Sequence, residues 1–291
     1  MFKGSIVALV TPFKGNDIDE SSLRKLVDWH ISEGTDGIVP VGTTGESPTL
    51  NHDEHERVIE IVIDQCNKRV PVIAGTGSNS TAEAINLLKH AENAGADAAL
   101  VVTPYYNKPT PEGLYAHYEA LDRASSGIPV IIYNIPSRSV IDINVDLMGR
   151  LSRLQSIVGV KDATSDISRI KKHNELCEDG FIQLSGEDET IYEYMINGGQ
   201  GCISVTANIL PKVCSDMHKA FSNNDLEEAK RLNNILMPLH KSLFIETSPS
   251  PVKYILSKMD LIDYEIRLPL VKIRQETKSI LDEIISNLEI K

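Results

Sequence analysis

Eight short, mainly apolar runs punctuate the first two thirds of the chain: SIVALVTP from residue 5, DGIVPVG from 36, VPVIAGTG from 70, ADAALVVTP from 96, IPVIIYNIP from 128, IVGVKDAT from 157, FIQLSGED from 181 and GCISVTAN from 201. They are near-continuous rather than alternating, the pattern of strands covered on both faces. Between them lie stretches with helical spacing of apolar positions, such as LRKLVDWHISEG, HERVIEIVIDQC, AEAINLLKHAENAG and ISRIKKHNELCEDG. Gly34, Gly95, Gly180 and Gly199 stand just before the next run, where a helix is closed by a left-handed residue. Alternating β and α units call for a parallel sheet with helices outside, and eight of them favour closure into a (β/α)8 TIM barrel of the α/β class. The pattern is complete by residue 222, so residues 1–222 are expected to form the catalytic barrel. Residues 223–291 contain no strand-like run and read as a C-terminal helical extension of three or four helices, broken by SPSP and Pro269.

Charge narrows the partners. The 41 acidic against 29 basic residues give a formal charge of -12, which argues against nucleic acid or an anionic membrane as the main partner. No apolar run approaches the roughly 18 residues of a spanning helix, and the opening MFKGSIVALVTPF lacks a cleavage pattern, so a cytoplasmic protein is expected. Cys66, Cys177, Cys202 and Cys214 are irregularly spaced without a CxxC pair, and are expected to be reduced thiols, neither metal ligands nor a disulfide framework.

In a barrel of this kind the reacting groups sit at the C-terminal ends of the strands. Those ends carry Thr43, Thr44, Glu46, Tyr105, Tyr106, Tyr133, Arg138 and Lys161. Lys161 stands out because it interrupts a β-branched, strand-like run. Burial disfavours the charged form of a lysine, and a neutral amine can attack a carbonyl to give a Schiff base. The competing reading is an ion pair with Asp162 or Glu187. Tyr133, near the end of the adjacent strand, supplies a hydroxyl able to carry protons to and from a carbinolamine, and tips the balance towards chemistry. GTTGES, residues 42–47, combines hydroxyls with glycines that let backbone N–H groups approach a carboxylate. The same string equally suits a turn into a helix capped by Asn51, with Glu54 completing a capping box. Arg138 fits a carboxylate clamp, although a loop arginine is often only a surface charge. His52 and His55 are three apart, not the four of the zinc-protease helix, and no metal is expected.

GTTGE, TPYYN, YNIPSR, GVKDAT and ISVTAN, in this order and over the whole chain, resemble the dihydrodipicolinate synthase family of pyruvate-dependent class I aldolase-like lyases. The resemblance implies a Schiff base between Lys161 and pyruvate. It implies a proton relay of Tyr133, Thr43 and Tyr106, the last reaching across from a neighbouring subunit. Thr43 and Thr44 would hold the pyruvate carboxylate and Arg138 that of L-aspartate 4-semialdehyde, with Gly186 and Ile203 lining the pocket through their backbones. The implied product opens diaminopimelate and lysine synthesis, with no metal or organic cofactor, in a homotetramer built as a dimer of dimers. Ser47, His52, His55, Asn79, Glu83 and Tyr105 match positions that bind L-lysine as a feedback inhibitor at the dimer interface. Pro48 departs from the alanine frequent in inhibited relatives, which puts a backbone contact to the effector in question. Rivals are N-acetylneuraminate lyase or a 2-keto-3-deoxy sugar acid aldolase of the same superfamily, a glycosidase relying on Glu46 and Glu187, and a catalytically silent sensor. Against the aldolases stand Thr43 after Gly42, the second tyrosine after Tyr105, and Arg138.

Overall fold

A computed structural model, describing residues 2–288 and 290, shows the eight strands closing on themselves. The barrel strands are β1 (Gly4–Ala8), β2 (Gly37–Val39), β3 (Ile73–Gly75), β4 (Ala98–Val102), β5 (Val130–Asn134), β6 (Ile157–Asp162), β7 (Ile182–Ser185) and β8 (Gly201–Ser204). All their pairings are parallel, with β8 beside β1. The last seam, between β2 and β3, is a single bridge from Ile38 to Val72, reinforced by the Ile38 amide on the Pro71 carbonyl at 3.0 Å and the Gly75 amide on the Pro40 carbonyl at 3.2 Å. Gly75 permits this approach, since a Cβ there would strike the Val41 carbonyl.

Seven helices follow the first seven strands on the outside: α1 (Glu20–Ser32), α2 (His52–Cys66), α3 (Thr81–Ala94), α4 (Pro111–Ala124), α5 (Val145–Leu151), α6 (Ser168–Leu176) and α7 (Ile191–Ile196). The eighth, α8 (Pro211–Ser222), leads into α9 (Leu226–Ser242), α10 (Ser250–Lys258) and α11 (Gln275–Asn287). The continuous apolar runs are explained by two cores. Ile6, Ala8, Val39, Ile73, Ile131 and Ile203 fill the barrel, whereas Val7, Ile38, Val72, Val130, Ile132 and Val160 meet the helices. SPSP falls at the break between α9 and α10, with Pro251 in the first turn of α10 where no amide is needed. Gly34 and Gly95 close their helices at positive φ of 88° and 92° as expected; Gly180 is also left-handed, at 82°, but α6 has already ended three residues earlier at the extended Cys177, and after α7 the left-handed residue is Gly198, at 101°, not Gly199. Gly199 is instead pressed against the Tyr194 ring, which leaves no room for a side chain. Among the described residues no helix is long and apolar enough to cross a membrane, and all four cysteines are free.

One irregularity determines what the barrel presents. Between β5 and β6 the register advances by one residue on β5, Val130 to Ile131, but by two on β6, Ile157 to Gly159. This bulge reverses the inward and outward phase of the rest of β6. Ile157 and Val160 both face the helices, so Lys161 and Ala163 face the barrel interior. Gly159 fits the tight spot, since a Cβ there would come within 2.5 Å of the Ile182 carbonyl oxygen.

Burial also sets an acid limit on the fold. Burial lowers the pKa of His30 to about 3 and of His55, His117 and His218 to about 4, and lowers His173 and His240 as well. These imidazoles stay neutral in the folded protein, while the unfolded chain takes up protons near pH 6.5. Their contribution is therefore intact above about pH 6.5 and is lost as pH falls towards 4. Calorimetric melting from pH 7.5 downwards should show Tm already falling between pH 6.5 and 5, before carboxylates titrate, and a flat Tm across that window would contradict it.

Candidate active site

Lys161 is 6% exposed, and its register partner on β5 is Tyr133. Both side chains lie on the inner face, and the lysine Nζ sits 4.1 Å from the centroid of the Tyr133 ring. Its stem runs past Gly186, where a Cβ would lie 3.1 Å from the lysine Cε and 2.7 Å from the Ala163 Cβ. That glycine is fixed by its own amide on the Asp162 carbonyl at 2.7 Å. The expected competing ion pair is absent among the described residues. Asp162 is engaged by Arg169 Nε at 3.2 Å and by the amide and hydroxyl of Thr164 at 2.9 and 2.6 Å. Arg169, on α6, is buried and also grips Asp142 at 2.9 Å and the Ile143 carbonyl. The arginine thus engages the carboxylate next to the lysine in sequence.

The GTTGES segment forms a compact turn and leads into the helix anticipated for it. The Glu46 amide donates to the Thr43 carbonyl at 3.1 Å and the Ser47 amide to that of Gly42 at 3.3 Å. Asn51 and Glu54 cap α2 reciprocally. Val41 and Glu46 hold φ of 46° and 55°, a left-handed conformation unfavourable for a β-branched valine. The side chain of Glu46 offsets that strain. It is fully buried and meets Lys253 Nζ at 2.5 Å, while its other oxygen accepts the Arg267 amide at 3.2 Å. Lys253, from α10, also donates to the Glu265 carbonyl at 3.0 Å and lies 4.2 Å from the Phe13 ring centroid. Burial pushes its ammonium down to about 8, against the pull of Glu46. A catalytic carboxylate facing substrate is therefore not available at Glu46, and the glycosidase reading fails there.

A cavity of about 430 Å³ opens over this end of the barrel, and its walls include Thr43, Tyr105, Tyr133 and Arg138. Lys161 lies behind Tyr133 rather than in the wall. Thr44 is 5% exposed and also outside the lining, and Ile203 belongs to the inner core. Arg138 is exposed on the short helix Pro136–Ser139, with no carboxylate partner among the described residues. Tyr106 is not brought to the lysine within this chain. It is 86% exposed at a φ of 73°, at the tip of the loop after β4.

The same cavity extends to Ser47, His52, His55 and Glu83, so two sets of residues read as separate from sequence share one space. Glu83 accepts a hydrogen bond from Ser78 and meets His52 Nε2 at 2.8 Å. Those contacts, Ser78 first, hold its carboxyl below the usual range, so it keeps a negative charge in the cavity. Asn79 stands outside the lining and donates to the Tyr105 carbonyl at 3.2 Å.

Several supporting residues escaped sequence reasoning. Asp188, two residues after the strand-end glycine of β7, accepts from Ser204 Oγ at 2.5 Å and from the amides of Val205 and Thr206 at 2.8 and 3.0 Å, which fixes the loop after β8. Its position in SGED was visible, but its partners lie on another strand. Arg169 and Lys253 gave no signal, because each sits in an ordinary helical pattern.

A family model described as the Dihydrodipicolinate synthetase family matches residues 1–288. A 4-hydroxy-tetrahydrodipicolinate synthase of Pelagibacter ubique is 58% identical over 286 residues, covering 97% of each chain. The solved chloride-inhibited dihydrodipicolinate synthase of Acinetobacter baumannii, complexed with pyruvate, is 49% identical with a TM-score of 0.97 and full coverage of both chains. The enzyme of Cyanidioschyzon merolae with lysine bound is 32% identical, with a TM-score of 0.96 over 100% of this chain and 99% of that one.

The Glu46–Lys253 pair makes a stability prediction. Lys253→Met leaves a buried carboxylate uncompensated and should cost about 3–5 kcal/mol in urea denaturation. Combining it with Glu46→Gln should recover part of that loss. Additive losses in the double variant would contradict the pairing.

Proposed function

The chain belongs to the dihydrodipicolinate synthetase family of lyases, and from that premise we propose that it joins pyruvate to L-aspartate 4-semialdehyde through a Schiff base on Lys161. The observation that carries this reading is the inward-facing lysine, free of carboxylate partners among the described residues and stacked under Tyr133 beside an open cavity. Neutral Nζ attacks the pyruvate carbonyl, and water leaves from the carbinolamine with protons carried by the Tyr133 hydroxyl. Thr43 and Thr44 take the pyruvate carboxylate, and Thr43 passes protons on to Tyr106 of a neighbouring copy. The outward position of Tyr106 suits that service better than one within its own chain. Loss of a C3 proton gives an enamine, whose carbon attacks the aldehyde while Arg138 holds the carboxylate of the second substrate. The substrate amine then displaces Lys161 and closes the ring. Imine chemistry of this kind calls on a lysine, hydroxyls and a guanidinium rather than a resident cofactor.

In this reading Gly186 and Ile203 bound the site through their backbones. Residues 1–222 form the catalytic unit, and 223–291 an extension that braces it through Lys253 and Arg267. The assembly is a homotetramer, and the product enters diaminopimelate and lysine synthesis. L-Lysine is its effector: the ionised Glu83 suits the ligand's ammonium, while His52, His55, Ser47, Asn79 and Tyr105 offer polar contacts around it. That a relative has been solved with lysine bound supports L-lysine as a ligand.

A steady-state assay with pyruvate and L-aspartate 4-semialdehyde, read by mass spectrometry of the cyclic product, tests the reading. The wild-type enzyme should form product only with both substrates, Tyr133→Phe should lose roughly 10²–10⁴-fold in kcat, and millimolar L-lysine should slow the wild type. Cleavage of a sugar acid in place of condensation would overturn the substrate assignment, and a rate unchanged by lysine would overturn the effector.

A further inference from the structure

A second cavity, of about 260 Å³, adjoins the first at the barrel mouth, and Ile135 and Arg138 line both. Its wall places Glu187 beside Arg138. The backbone of Glu187 is held firmly. Ser185 Oγ donates to its carbonyl at 2.9 Å and accepts its amide at 3.0 Å. Its carboxyl, in contrast, has neither an ion pair nor a hydrogen bond among the described residues, although the residue is half-buried. The other carboxylate in the wall, Glu189, is exposed and faces Lys241 at 3.7 Å. A free carboxyl and a free guanidinium therefore share one small space next to the buried lysine.

A substrate with an ammonium and a carboxylate on the same carbon presents the complementary pair of charges. We propose that Glu187 receives the ammonium of the amino-acid aldehyde whose carboxylate Arg138 holds, and removes the proton that must leave before the ring can close. This rests on the reading of the site given under Proposed function and assigns it one further catalytic group. The Glu187 carboxylate takes one proton from the ammonium, and the freed lone pair forms the ring C–N bond at the iminium carbon. A second proton passes from that nitrogen to Nζ, and the C–Nζ bond breaks. Lys161 departs as the neutral amine and a ring iminium remains.

The surroundings suit a group that must both hold and release a proton. Burial raises the Glu187 carboxyl to about 7. Lys161 and Arg138 pull it down, while Asp188 and Asp162 push it up. From α9, Lys241 is drawn to Glu189, and His240 turns its Nδ1 to Thr206 at 2.8 Å.

The test compares wild type, Glu187→Gln and Glu187→Asp, with succinate semialdehyde as a competitor that keeps the aldehyde and carboxylate but lacks the amine. Glu187→Gln should raise KM for aspartate semialdehyde roughly ten- to a hundred-fold, the scale of losing a charged hydrogen bond. It should also abolish the acidic limb near pH 7 in kcat/KM, while leaving KM for pyruvate and Ki for succinate semialdehyde unchanged. Glu187→Asp should keep the limb. An unchanged KM and limb in Glu187→Gln, or a Ki that rises in step with KM, would overturn the assignment. A wild-type enzyme that does not consume aspartate semialdehyde would instead overturn the functional reading, and this inference with it, before any variant is compared.

Discussion

A one-residue bulge in β6 sets the direction of every side chain that follows it on that strand. A strand alternates faces with a period of two, so counting from Ile157 without interruption would send Lys161 out to the helices. The extra residue near Val158 turns it inward, into register with Tyr133. The 4.1 Å approach of Nζ to the tyrosine ring follows from that pairing, and so does the need for glycine at 186, where the lysine stem passes. The chemistry proposed for this chain depends on a backbone irregularity that holds a lysine inside a barrel filled mainly by aliphatic side chains.

Around that lysine the charges are sorted into those with partners and those without. Asp162 is claimed by Arg169, Glu46 by Lys253, and Asp188 by a serine hydroxyl and two backbone amides. Each of these sits in low-dielectric surroundings, where an unpaired charge is expensive. Among the described residues they leave Lys161, Arg138 and Glu187 without partners, the groups to which the proposed chemistry is assigned. The pairs also join distant parts of the chain. Lys253 and Arg267 come from the C-terminal segment, yet both bind Glu46 and so steady the turn that presents Thr43. The strained backbone of Val41 and Glu46 is thereby held by contacts more than two hundred residues away in sequence.

The barrel was legible because two buried faces produce uninterrupted apolar runs, and the runs are regularly spaced. Strand-end residues could be collected into one site for the same reason, since topology brings the C-terminal ends of parallel strands together. What could not be read depended on three dimensions. Gly159 within the run is a local sign of an irregular strand, but the shift in register shows only in the pairing with β5. The choice of partner for Asp162 was decided by Arg169 on another element, and the burial of Glu46 by a lysine on α10. The displacement of the helix-closing residue from Gly199 to Gly198 has a similar cause: Tyr194 fills the space beside the second glycine. Tyr106 matches its motif but turns away from the lysine of its own chain, which sequence spacing does not reveal.

The central claim is that the inward-facing Lys161 is the nucleophile. Borohydride reduction in the presence of pyruvate, followed by peptide mapping, tests it most directly. The account predicts a single reduced pyruvyl adduct on the peptide containing Lys161, dependent on pyruvate. Absence of an adduct, or an adduct on another lysine, would contradict it and leave Lys161 a structural residue held beneath Tyr133.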